Sequence, residues 1–66
     1  MKITLNGEAC QCKEPTTIQS VIEQRELSGK RIAVEVNMEI VPRSQFATRR
    51  LQEGDRVEIV HAIGGG

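Results

Sequence analysis

The dipeptide Asn6-Gly7 constrains the fold of this chain more than any other stretch. A two-residue type I′ turn needs positive φ at both central positions, and Asn-Gly between alternating segments is the strongest local signal for it. Before it, Ile3 and Leu5 alternate with Lys2 and Thr4; after it, Glu8-Ala9-Cys10-Gln11-Cys12-Lys13 alternates again. The pattern predicts an opening β-hairpin, with Cys10 and Cys12 on one face and Gln11 and Lys13 on the wet face.

A hairpin this short needs a second layer to cover its apolar side. Glu14-Pro15 closes the hairpin, and Thr16 stands three residues before Gln19, the spacing of a Thr-x-x-Gln capping box. Ile18, Val21 and Ile22 share one helical face while Gln19, Glu23 and Gln24 point away. The expected helix runs from Thr17 to Leu27, stopped by Gly29 in the left-handed region, with Lys30 and Arg31 beyond its negative end.

The remainder reads as strands. Ile32, Val34 and Val36 alternate with Ala33 and Glu35, predicting a third strand in the middle of a sheet. Asn37-Met38-Glu39 is expected to turn, and Ile40-Val41 to form a short strand stopped by Pro42. Ser44 is positioned to cap one helical turn that drops Phe46 onto the core. Gly54-Asp55 marks another turn, and Arg56 to Val60 forms the last strand with Val57 and Ile59 inward. The class is α+β: a mixed four- to five-stranded sheet packed on one helix, with a short helical turn before the last strand. The third and last strands would flank or pair with the first. That is the β-grasp arrangement of ubiquitin-like proteins.

Size and charge narrow the function. Sixty-six residues make one domain near the lower limit for unaided folding, with little room for a deep pocket of catalytic side chains. Nine basic and nine acidic residues cancel, and Phe46 is the sole aromatic. Nucleic acid is therefore disfavoured, for want of both net phosphate attraction and stacking platforms. No run of about 20 apolar residues exists to span a membrane, and the first residues alternate like a strand, not like a signal peptide. A soluble cytoplasmic protein is expected. Cys10 and Cys12, with one histidine, cannot complete a four-ligand metal shell. Their spacing along one strand, about 6.6 Å, also stretches the disulfide range. The two are read as small core residues.

The chain ends Val60-His61-Ala62-Ile63-Gly64-Gly65-Gly66. Three final glycines are either a frayed end or linker remnant, or a slender segment that carries function. The expected division is a domain over residues 1–61 and a flexible tail over residues 62–66.

Several stretches resemble a known family, the small sulfur carrier proteins of thiamine biosynthesis called ThiS. They are MKITLNG (residues 1–7), Ala33-Val34-Glu35-Val36-Asn37 followed by Glu39-Ile40-Val41-Pro42-Arg43-Ser44, Gly54 to Val60, and the terminal glycines. A terminal glycine pair is shared with ubiquitin and with the small subunit of molybdopterin synthase; the internal stretches and the length favour the thiamine carriers. The resemblance implies that an ATP-using, E1-like activating enzyme adenylates the carboxylate of Gly66. A persulfide sulfur, from a donor such as a cysteine desulfurase, then displaces AMP, and the resulting thiocarboxylate serves thiazole synthase. Gly64 and Gly65 would be the approach into the partner's active site.

No side chain is assigned a catalytic role, no metal or cofactor is expected, and the chain is read as a carrier, not an enzyme. His61 is placed at an interface rim rather than as a general base, and Arg43, Arg49, Arg50 and Arg56 as solvated charges. Holding a flexible tail costs entropy on binding, which calls for an apolar docking patch on the sheet. Two alternatives remain open at this level: a carrier for molybdopterin or another sulfur pathway, and a ubiquitin-like binding module whose terminus is never activated.

Overall fold

The computed structural model describes residues 1–61. The chain runs β1 (Lys2–Leu5), β2 (Glu8–Gln11), α1 (Ile18–Gln24), β3 (Ile32–Val36), β4 (Glu39–Val41), a 3₁₀ turn (Arg43–Gln45) and β5 (Arg56–His61). The strands form one five-stranded sheet in the order β2-β1-β5-β3-β4. β1 and β5 are parallel, and the other neighbouring pairs are antiparallel.

The opening hairpin forms as the sequence requires. Leu5 faces Glu8 across a two-residue turn in which Asn6 has φ 50° and Gly7 φ 85°. The second hairpin repeats the device at Asn37 (φ 52°) and Met38 (φ 71°), with Val36 opposite Glu39. Glu39 thus belongs to β4 and not to the turn. β2 stops at Gln11, two residues short of the alternating stretch.

The helix is shorter than expected, and both of its ends differ from the sequence reading. Its N-cap is Thr17, whose hydroxyl accepts from the Ser20 N–H. Thr16 is buried, with its hydroxyl donating to the Lys13 carbonyl, so it is not free to build the expected capping box. The Ile18 and Gln19 N–H groups, which a helix start leaves without internal partners, donate to the carbonyls of Arg49 and Phe46. At the other end Leu27 N–H reaches the Ile22 carbonyl and Glu26 N–H the Glu23 carbonyl, the Schellman pattern. Glu26 holds the left-handed position with φ 58°. Gly29 serves a separate turn, closed by the Lys30 N–H on the Leu27 carbonyl, and so lies beyond the helix stop.

Ile18, Val21 and Ile22 pack on Ile3, Leu5, Val34, Val36, Val57 and Ile59 of the sheet. Phe46 and Leu51 close the core from the long connection before β5. Phe46 is buried as expected, but Ser44 does not cap: the 3₁₀ turn begins after Pro42 with no side-chain cap. Cys10 and Cys12 are half-buried at the margin of this core, not within it.

The last strand pairs with β1 as expected, and the place of β3 is the main departure from the expected topology. β3 does not lie at the centre and does not pair with β1; β5 inserts between them. Val57, fully buried, sits between Leu5 on one side and Val36 on the other. The last strand is therefore the one that knits the two hairpins together.

Candidate functional site

Residues Gly64, Gly65 and Gly66, the expected site, lie outside the described residues, as does the expected tail over 62–66. What the structure fixes is the platform from which they depart. β5 ends at His61, which lies opposite Ile32, the first residue of β3. His61 is exposed at this strand end.

Three sets of hydrogen bonds anchor β5 along its length. Asn6 Nδ2 donates to the Ile59 carbonyl at 3.1 Å, and the Ile59 N–H donates to Asn6 Oδ1 at 2.8 Å. At the start of the strand the Arg56 N–H donates to Asn37 Oδ1 at 2.9 Å and the Asn37 N–H to the Arg56 carbonyl at 2.7 Å. Asn37 Nδ2 also donates to Asp55 Oδ1 at 3.0 Å, while the Gln52 N–H donates to Asp55 Oδ2 at 2.8 Å. Asp55 is buried, so its carboxylate is compensated on both oxygens. The turn asparagines of both hairpins thus serve as clamps on the last strand. Sequence reasoning assigned them only to turns, since a side chain's bond to a distant strand leaves no local pattern.

The sheet face away from α1 carries exposed apolar residues, the feature that sequence reasoning expected of a docking patch but did not locate. Val34, Val36, Val57 and Ile59 point to the helix, so Ala33, Glu35, Glu58 and Val60 point to the opposite face. There Val60 lies across from Ala33, and Ile40 across from Glu35. Ile40 is 73% exposed and Val60 58% exposed. Glu35 also faces Glu58 directly, a like-charge pair that weakens a sheet. The signal in the sequence was Val60, an apolar residue where the alternation of Val57 and Ile59 calls for a polar one.

On the helix side one hollow of about 100 Å³ is lined by Ile22, Leu27, Lys30, Ile32, Arg43 and Phe46. Another of about 180 Å³ lies among Leu5, Asn6, Glu8, Arg25, Leu27 and Ile59. Small-molecule pockets typically run to about 300–1,000 Å³, so neither hollow encloses a drug-sized ligand. Arg43, Arg50 and Arg56 are exposed, and Arg49 is half-buried with its carbonyl on the helix start. No helix among the described residues is long and apolar enough to cross a membrane. Among them there is also no cluster of three or more His, Cys, Asp or Glu placed to hold a metal ion.

One helix laid across a mixed five-stranded sheet, with parallel first and last strands at its middle, defines a ubiquitin-like β-grasp domain. The ThiS family model matches residues 3–66, and the chain belongs to the ThiS family. It is 35% identical over 66 residues to the sulfur carrier protein ThiS of Escherichia coli K12, covering all of both chains. It is 38% identical to a thiazole synthase of Paramagnetospirillum magneticum, where it spans 20% of that protein's length. The crystal structure of the thiamine biosynthesis protein ThiS from Geobacter metallireducens superposes with a TM-score of 0.86 at 26% identity, each chain covered in full.

Proposed function

We propose that this chain is a sulfur carrier for thiazole formation in thiamine biosynthesis, and that the group it carries sulfur on is the carboxylate of Gly66. The observation that carries this reading is the family match, which continues to residue 66 and so takes in all three glycines. The chain acts as a substrate of its partners and makes no bond with its own side chains. Residues 1–61 are the handle, and residues 62–66 are the approach to a partner's active site.

The chemistry follows from the weakness of a carboxylate as an electrophile. An E1-like adenylating enzyme joins it to AMP from ATP, releasing pyrophosphate. The outer sulfur of a persulfide, supplied through a cysteine desulfurase, attacks the acyl carbon and AMP leaves. A second thiol then takes the inner sulfur as a disulfide, leaving the thiocarboxylate. Thiazole synthase is the acceptor. Relatives of that name contain a segment like this chain as a fifth of a longer protein, an arrangement that suits two partners which must meet during the reaction. ATP and persulfide donors place the work in the cytoplasm.

The geometry supports a division of labour between face and tail. Five residues after His61 extend by at most about 17 Å, so the folded part must dock close to the partner's reaction centre. Ile40 and Val60 offer apolar area for that docking, and the Glu35–Glu58 pair invites a cation from the partner. Pyrophosphate exchange by the activating enzyme tests the reading. Exchange should depend on this chain and vanish when a residue is appended after Gly66; exchange that survives the extension would refute the assignment.

A further inference from the structure

Three features of the fold converge where β5 ends. The first is the hollow of about 100 Å³ lined by Ile22, Leu27, Lys30, Ile32, Arg43 and Phe46. That is the share of roughly three water molecules, the scale of one aliphatic side chain. Leu27 and Ile32 pack against the core but are only half-buried, so its floor is apolar and incompletely covered.

The second is register. His61 lies opposite Ile32, and an extension of β5 in the same antiparallel pairing would set Ile63 beside Lys30. Position 63 has the parity of Val57 and Ile59, the buried side chains of β5, which is the parity of the helix side where the hollow lies. The third is charge. Lys30 and Arg43 are exposed, no acidic side chain lines the hollow with them, and neither has an ion-pair partner among the described residues. The carboxylate of Gly66 stands three residues beyond Ile63, within about 10 Å at full extension.

We propose that the hollow is a resting seat for the chain's own last residues: Ile63 fills the apolar floor, and the Gly66 carboxylate pairs with Lys30 and Arg43. The three glycines carry no side chains to obstruct a fold back over the turn at Gly29. So short a tether gives an effective concentration in the mM range, and contacts too weak to hold a separate peptide then keep the seat occupied. The consequence for activity rests on the reading of Gly66 as the activated group. A seated carboxylate is withheld from the adenylating enzyme, whose apparent affinity falls with the fraction of chains in which the tail is released.

The test is NMR of the full chain without partners, followed by pyrophosphate exchange. Wild type should show nuclear Overhauser effects from the Ile63 methyl groups to Leu27 and Phe46 that do not vary with chain concentration. Ile63→Ser and the double variant Lys30→Gln/Arg43→Gln should each increase the mobility of the Gly66 amide, read by nitrogen relaxation, while the resonances of β1 and β2 stay in place. At limiting carrier, the double variant should exchange about twofold faster than wild type or more. Absence of the Overhauser effects, a Gly66 amide equally mobile in all three proteins, or effects that grow with concentration and so report a second copy would overturn the seat. Exchange unchanged or slowed in the double variant would overturn its restraining role. No exchange by any of them, with the Overhauser effects present, would refute activation at Gly66 and leave the seat standing.

Discussion

Asn6 and Ile59, 53 residues apart, exchange two hydrogen bonds between a side-chain amide and a backbone peptide group. The Asn6 N–H already donates to the Val57 carbonyl at 2.9 Å. One residue thus turns the first hairpin and, through its side chain, continues the parallel β1–β5 ladder after its backbone has turned away.

Replacing Asn6 with Gly separates these two roles, because glycine keeps the positive φ and removes the amide. The Ile59 N–H and carbonyl then lose their partners, for an expected loss of about 1–2 kcal/mol. Asn6→Ala should cost about 1 kcal/mol more, since alanine resists the left-handed region. Urea unfolding measures both. Asn6→Gly within about 0.5 kcal/mol of wild type would show that the clamp contributes nothing.

Met38 presents the opposite case. It sits at φ 71° in the β3–β4 turn and is 71% exposed, so it bears the left-handed strain and buries little. Met38→Gly should raise stability by about 0.5–1 kcal/mol, the relief of strain less the added entropy of unfolded glycine. Glu26→Gly, at φ 58° in the helix stop, should act in the same direction. A fall in the urea midpoint for both would mean that these side chains make contacts stronger than the strain.

Ile40→Glu and Val60→Glu change exposed positions on the outer sheet face. Each should leave stability within about 0.5 kcal/mol of wild type while weakening binding to the activating enzyme by about tenfold, or about 1.4 kcal/mol. Titration calorimetry reads the affinity directly. Unchanged affinity in both variants would move the docking surface elsewhere.

Deleting Gly66 leaves a diglycine end but withdraws the carboxylate by about 3.3 Å. Adenylation should fall severely, whereas His61→Gln, at an exposed strand end, should leave sulfur transfer largely intact. Pyrophosphate exchange for the first and thiocarboxylate yield for the second measure the contrast. Near-normal exchange by the truncated chain would show that the partner reads glycine and not length.

The opening hairpin, the apolar stripe of Ile18, Val21 and Ile22, and the inward Val57 and Ile59 were legible in the sequence because each is set by neighbours within a few residues. Pairing of β5 with β1 was among the expected arrangements, but the place of β5 between β1 and β3 was not. Its insertion between β1 and β3 depends on partners more than 50 residues away, including Asn6, and alternation in a strand does not name its neighbour. The helix ends failed for a related reason. Thr16 and Thr17 are both good caps, and burial of Thr16 against the Lys13 carbonyl decided between them. Glu26 took a left-handed position that sequence logic gave to Gly29. The candidate site divides in the same way: the glycines stand out in the sequence, whereas the pairing of Val60 with Ala33 and of Ile40 with Glu35 required the sheet.

Intact mass of this chain, after incubation with ATP, the activating enzyme and a cysteine-derived sulfur source, tests the central claim most directly. The predicted result is one sulfur in place of one oxygen, located by fragmentation to Gly66. An unchanged mass under conditions in which the same enzymes convert another ThiS protein, or sulfur found on any other residue alone, would contradict it.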